Sequence, residues 1–244
     1  MKKLLLFTLL GSLFFAQQKE EAAPVIYDKY PKGQSDYNGG NIEFYKELHQ
    51  LIVDKKIQPC ESKTELYSVR FVVYPDATIK FVKEEYPENA KKNKCAFDLT
   101  RKLFKYLDGW KPAEVDGQKV AAITSMIIFP DALFDKYFEG YDIINYMVPA
   151  KYNNGINRFR SDLMNGVDVG SLIDSGGGKV VIVFDINEKD EKENIHLEEE
   201  MGNKDFNNII IQGIKNIKGK WTPGMVHGIP VKSQIRFPIT LGEN

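Results

Sequence analysis

Histidine and cysteine are scarce in this chain: three of the first and two of the second among 244 residues. His49, His196 and His227 fall in different expected elements, and neither H-E-x-x-H nor a paired Cys/His spacing occurs, so a metal centre has no basis in the sequence. No G-x-S-x-G elbow is present to expose a nucleophile. Ser175-Gly176-Gly177-Gly178-Lys179 imitates a phosphate loop but lacks the leading glycine and a Ser or Thr after the lysine. A strand rather than a helix is expected after it, so it reads as a turn. Carboxylates are numerous, yet no repeated pair of them stands out. An excess of one charge is missing too: 33 basic residues stand against 34 acidic ones, so no global field selects nucleic acid or anionic lipid. The short runs Lys91-Lys92-Asn93-Lys94 and Glu198-Glu199-Glu200 read as solvated faces. The expectation is a non-enzymatic protein with no cofactor and no metal.

Long apolar runs are absent after the first 16 residues. There, Lys2 and Lys3 precede an apolar stretch from Leu4 to Phe15, broken only by Thr8, Gly11 and Ser12. Ala16-Gln17 is the expected cleavage point, followed by Lys19-Glu20-Glu21. This is the layout of a secretory signal peptide, residues 1–16, although Phe14 replaces the usual small residue before the cut. The alternative is an uncleaved anchor. A helix of that length rises only ~18 Å against a hydrocarbon core of ~30 Å. No cysteine stands directly after the run, so a lipoprotein is not indicated. The mature chain is expected in the periplasm, with no integral membrane span.

Export makes a disulfide between Cys60 and Cys95 possible. It would close a loop of about 35 residues and stabilise the fold by ~3–4 kcal/mol in the chain-entropy picture. The other reading of Cys95 is a small core residue, because Phe206 occupies the matching position later in the chain.

That matching position exists because the sequence repeats. Trp110, Pro112, Val115, Gly117 and Val120 return at an offset of 111 as Trp221, Pro223, Val226, Gly228 and Val231. Cys95, Leu99, Leu103 and Tyr106 precede the first set as Phe206, Ile210, Ile214 and Ile217 precede the second. Nearer the start, Tyr37-Asn38-Gly39-Gly40 matches Tyr152-Asn153-Asn154-Gly155, and Phe44 and Leu48 match Phe159 and Leu163, at an offset of 115. Each copy spans about 100 residues, a usual domain size. The shared residues are turn-makers and apolar anchors, which define a scaffold rather than a catalytic site.

Within a copy the periodicity reads helix, strand, strand, helix, strand. Phe44, Leu48, Leu51 and Ile52 form one helical face, as do Ile156, Phe159 and Leu163. Tyr67, Val69, Phe71 and Val73 alternate with their neighbours in a half-buried strand, and Val180, Ile182, Phe184 and Ile186 do the same. Second strands are expected at 78–84 and 194–199, and last strands at 120–129 and 231–241. The expected class is α+β: two tandem domains, each with two helices on a three-stranded antiparallel sheet. The divisions are an N-terminal segment at 17–29, a first domain at 30–130, an aromatic linker at 131–146 and a second domain at 147–244. Phe134, Tyr137, Phe138 and Tyr141 make that linker too apolar to run free, so it is expected to pack on one or both domains.

These residues resemble the C-terminal domain of TonB proteins. The second copy carries Tyr152-Asn153-Asn154-Gly155 before its first helix, then Trp221-Thr222-Pro223-Gly224, Gly228-Ile229-Pro230-Val231 and Phe237-Pro238-Ile239. The first copy is more divergent, with Ala113, Lys119 and Met126 in place of Gly224, Pro230 and Phe237. The resemblance implies binding of a peptide segment, such as one from an outer-membrane receptor, as an added strand on the last strand of a copy. On the second copy the implied edge comprises Val231, Lys232, Gln234, Arg236, Phe237 and Ile239. The energy transducers of that family need a membrane helix and a long Pro-rich spacer, whereas residues 17–36 hold only Pro24 and Pro31. A free periplasmic binding or adaptor protein therefore fits better than an anchored transducer. A self-associating structural module is the other alternative.

Overall fold

Local backbone chemistry sets the frame of the computed structural model, which describes residues 25–84, 87–167, 178–198 and 204–241. In the first half, β1 (Ile26–Tyr27) precedes α1 (Gly40–Asp54), β2 (Tyr67–Val73), β3 (Ile79–Phe81), α2 (Pro87–Lys92), α3 (Lys94–Leu103), β4 (Ala113–Val115) and β5 (Gln118–Ile128). A linker helix, α4 (Pro130–Leu133), and a 3-10 turn at Ile143–Tyr146 lead to β6 (Met147–Val148) and β7 (Lys151–Tyr152). The second half continues with α5 (Ile156–Gly166), β8 (Gly178–Ile186), β9 (Lys192–Leu197) and α6 (Lys204–Asn216). It ends with β10 (Trp221–Thr222), β11 (Gly224–Val226), β12 (Ile229–Val231) and β13 (Ser233–Leu241). The fold is α+β.

The turns follow from residue type. Asp116-Gly117 and His227-Gly228 each place two successive residues at positive φ, 51° and 74° in one, 50° and 75° in the other. That is the primed two-residue turn whose twist suits a hairpin. It joins β4 to β5 and β11 to β12. At the β2–β3 turn, Asp76 Oδ1 accepts from the Thr78 amide at 3.0 Å and the Thr78 hydroxyl at 2.7 Å, fixing a bend in which Ala77 has φ 64°. The helix expected to carry Cys95 starts at Lys94, with Asn93 at the position before it, after the separate short helix α2. The buried Asn93 also accepts from the Leu66 amide at 2.9 Å, tying this start to β2.

The first sheet is larger than the sequence suggests. Its order is β1-β5-β2-β3, with β4 also paired to β5. β1 comes from the segment placed before the first domain. It adds parallel to β5, with Ile26 opposite Ala121 and Tyr27 opposite Ala122. In the second half, β13-β8-β9 form a three-stranded antiparallel sheet. The last strand there is shorter than expected, because the chain breaks at Lys232. Val231 belongs to β12, opposite Gly224 of β11, in a separate sheet of order β12-β11-β6.

Two cores result. One gathers Phe44, Leu48, Phe71, Leu103, Phe104, Trp110 and Ile128, and the other gathers Phe159, Leu163, Phe184, Ile210, Ile214, Trp221 and Phe237. The linker contributes Leu133, Tyr141 and Ile143 to the first. Val226 from the second half is buried in the first core as well. Beside it the His227 ring stacks between Phe129 (4.5 Å) and Tyr146 (4.1 Å), and its Nε2 lies 2.8 Å from the Tyr141 hydroxyl. The two halves are therefore joined through an aromatic stack. Cys60 and Cys95 are bonded, with Cα atoms 5.8 Å apart, and the bond ties the segment after α1 to α3.

Two outcomes follow for stability. Replacing both Cys60 and Cys95 by serine should cost about 3–4 kcal/mol, read as a lower midpoint in urea unfolding with a larger m-value. Burial depresses the His227 pKa below its ordinary 6.5. The unfolded chain thus takes up the proton first as pH falls, so the stack's contribution is present above about 6.5 and lost below it. The Tm advantage of the native chain over His227→Asn should shrink between pH 7 and 5. An advantage that stays constant would remove His227 from the pH response.

Candidate functional site

The second sheet has two outer strands, β13 and β9, and β13 is the longer. β13 pairs with β8 along its whole length, from Ser233 opposite Ile186 to Leu241 opposite Gly178. Among the described residues no strand pairs with its other side. Side chains alternate across it. Phe237 and Ile239 are buried in the second core at 3% and 5% exposure, while Gln234, Arg236, Pro238 and Thr240 are exposed.

The direction of the backbone groups follows from one hydrogen bond. The Glu198 amide donates to the Val181 carbonyl at 2.9 Å, so the polar groups of Val181 face β9. Antiparallel ladders alternate sides residue by residue. Pro238, opposite Val181, therefore turns its backbone away from β8 and toward the open edge, as do Gln234, Arg236 and Thr240. The edge offers the amides and carbonyls of Gln234, Arg236 and Thr240, but only a carbonyl at Pro238. A proline in a strand is tolerated on such an edge and blunts uncontrolled pairing.

Of the six residues implied by the family resemblance, the edge brings together two. Gln234 and Arg236 present both backbone and side chain outward, with the Arg236 guanidinium paired to Glu198 of the neighbouring segment. Phe237 and Ile239 point into the core, and their backbone groups face β8, so they support the strand rather than meet a ligand. Val231 is spent on the β11–β12 hairpin. Lys232 sits at the break, with Nζ 3.2 Å from both Asp185 Oδ2 and Glu193 Oε2. The ammonium and the Asn187 amide hold the Glu193 carboxyl below its usual range, Asn187 being the larger influence. This cluster anchors the start of β13 near the bulge at Val183/Asp185.

The equivalent edge in the first half is covered at both ends. The Val82 amide donates to the Arg70 carbonyl at 3.0 Å, so Ser125, opposite Arg70, faces outward together with Ala121, Ile123 and Ile127. β1 covers Ala121, and the Tyr45 hydroxyl donates to the Ile127 carbonyl at 2.8 Å. The Thr124 hydroxyl donates to Asp36, whose carboxyl is pushed up by burial. At the repeat offsets, Tyr45 becomes Arg160 and Ile127 becomes Pro238. Arg160 is exposed and lies 5.4 Å from the Phe237 ring centroid.

One repeated polar pair escaped the sequence reading. The Tyr37 hydroxyl donates to Glu47, and the Tyr152 hydroxyl donates to Asp162 at 2.7 Å. Burial, then the Asp162 carboxylate, pushes the Tyr152 hydroxyl up to about 12. Glu47 and Asp162 stand at the 115-residue offset, and this is the signal that could have found them. Each pair locks the turn before the helix onto that helix. The cluster of Cys60, Cys95 and Glu65 offers no thiolate for a metal, since the sulfurs are bonded to each other.

No protein-family model matches the chain, and no curated protein does. A solved structure of the TonB C-terminal domain of Helicobacter pylori, determined by NMR in solution, is similar at 19% identity over 38% of this chain and 89% of that one, with a TM-score of 0.24.

Pro238→Val would restore the missing edge donor at a position where the side chain is exposed. The variant should self-associate more readily than the native chain, seen as a rise in average mass by light scattering with increasing concentration.

Proposed function

We propose that this protein is a non-enzymatic binding or adaptor protein of the TonB C-terminal type, which takes up an extended partner peptide as an added strand on β13. The observation that carries this reading is the contrast between two equivalent edges. That of β5 is covered at Ala121 by β1 and at Ile127 by Tyr45, and that of β13 is open among the described residues. Backbone groups of Gln234 and Arg236 would supply affinity in either strand direction, and the outward side chains would supply selectivity. The expected setting is the periplasm, after cleavage at Ala16, with a segment of an outer-membrane receptor or another periplasmic protein as partner. Residues 1–16 lie outside the described residues, and among those described no helix is long and apolar enough to cross a membrane.

Self-association through the same edge is the second reading, since an open strand can take a second copy as well as a peptide. Pro238 argues against a long, regular pairing of that kind. An anchored transducer with an uncleaved N-terminus is the third, and sequencing the mature N-terminus decides it.

The test is amide chemical-shift mapping of the full mature chain with short strand-forming peptides from outer-membrane receptors. Saturable shifts should concentrate on residues 233–240 and leave 120–128 unmoved. Silence of both strands to every peptide tested would sink strand addition.

A further inference from the structure

In the first half, the face of α1 beside the β5 edge carries Asn41, Tyr45 and His49, one helical turn apart. The linker covers all three. Asn41 Nδ2 donates to Asp142 Oδ1 at 3.3 Å, and the Tyr45 ring meets Tyr141 edge-on at 5.2 Å. The His49 ring stacks on Tyr137 at 4.0 Å, with Nδ1 2.8 Å from the Leu133 carbonyl oxygen. Within the same chain, then, this shelf of helix and strand edge accommodates an adjacent Tyr141-Asp142 pair, the ring against Tyr45 and the carboxylate against Asn41.

At the repeat offset the three residues become Ile156, Arg160 and Met164. Ile156 is 48% exposed, Arg160 is exposed, and Met164 is half-buried against the second core. Arg160 Nη1 donates to Asn157 Oδ1 at 3.1 Å, and no carboxylate among the described residues engages the guanidinium. Where the first half sets a polar amide and a phenol under its own linker, the second sets an exposed aliphatic side chain and a cation.

We propose that the shelf formed by Ile156, Arg160 and the outer edge of β13 selects a partner segment in which an aromatic ring is followed directly by a carboxylate, as in Tyr141-Asp142. The ring would lie on Ile156 and on the methylene stem of Arg160. The carboxylate would take the planar fork of the guanidinium. The segment's backbone would run along Gln234 and Arg236. The inference rests on strand addition at β13 for its backbone contacts and adds the side-chain chemistry of the partner.

The probe is a synthetic peptide with the sequence of residues 140–146, whose one aromatic–carboxylate pair is Tyr141-Asp142, added to the full mature chain and followed by amide shifts. A peptide of alternating Thr and Val serves as the control for strand addition alone. The linker peptide should shift both β13 and α5. Arg160→Glu in the protein, or Asp142→Lys in the peptide, should weaken it about fivefold, and combining the two should restore binding. Arg160→Gln is the milder variant should the charge reversal disturb α5. Equal affinity of the native and Arg160 variants for the linker peptide, with β13 still responding, overturns the aromatic–acidic preference and leaves strand addition standing. A β13 edge silent to both peptides overturns strand addition and this inference together. Concentration-dependent burial of that edge between two copies of the chain has the same consequence.

Discussion

One tryptophan holds each half of the molecule together. Trp110 packs against Tyr37 at 5.0 Å, Phe71 at 4.7 Å and Phe104 at 5.6 Å, which come from the turn before α1, from β2 and from the end of α3. Trp221 meets Tyr152 at 5.3 Å, Phe159 at 5.2 Å and Phe184 at 5.5 Å. Short backbone bridges reinforce both contacts, Tyr37 opposite Trp110 and Tyr152 opposite Trp221. Both indole N–H groups are buried without a partner among the described residues, a cost of about 1–3 kcal/mol each. Burying a tryptophan side chain removes roughly 150–250 Å² from water, about 4–6 kcal/mol at 25 cal/mol/Å², so the ring wins. The tryptophan is where the segment after the second helix, the first turn and the central strand meet.

With a tryptophan contact of the same kind in each half, one difference between the halves lies in what rests on the last strand. The first half has its linker on α1 and its N-terminal segment on β5. The second half sends residues 226–231 toward the first core instead, where Val226 is buried and Ile229 and Val231 are partly buried. This explains the break at Lys232. The stretch before it belongs to the joint between halves, and the stretch after it belongs to the second sheet. Asp185, almost buried, makes the break tolerable by accepting from Asn194 at 2.7 Å and pairing with Lys232.

Periodicity made the main helices and strands legible, since burial of one face leaves a period of 3.6 or 2 in the residues themselves. Offsets of 111 and 115 made the aromatic anchors legible for the same reason. β1 was not legible: two residues carry no period, and parallel pairing with a strand some 95 positions away leaves no local mark. The split of the last strand was hidden because Val231 is apolar in either arrangement; only the location of the first core distinguishes them. The Tyr–carboxylate pairs were hidden because Glu47 and Asp162 differ in type while doing the same job. Gln234 and Arg236 stood out as the polar face of a strand. That Pro238 faces the edge required knowing which carbonyl the Glu198 amide engages.

The parallel strand at Ile26–Tyr27 is tethered at close range. Tyr30 donates to the Lys111 carbonyl at 2.8 Å, and the Gln34 side chain exchanges two hydrogen bonds with the Glu114 backbone, at 2.7 and 2.8 Å. Tyr30 lies three positions after Tyr27, a reach of about 10 Å. A strand held on so short a leash meets its edge at an effective concentration on the order of millimolar. A free peptide competing for β5 would have to exceed that concentration, while the same peptide meets no tethered rival among the described residues at β13. Two nearly equivalent strands can therefore differ by orders of magnitude in apparent occupancy through tether length alone.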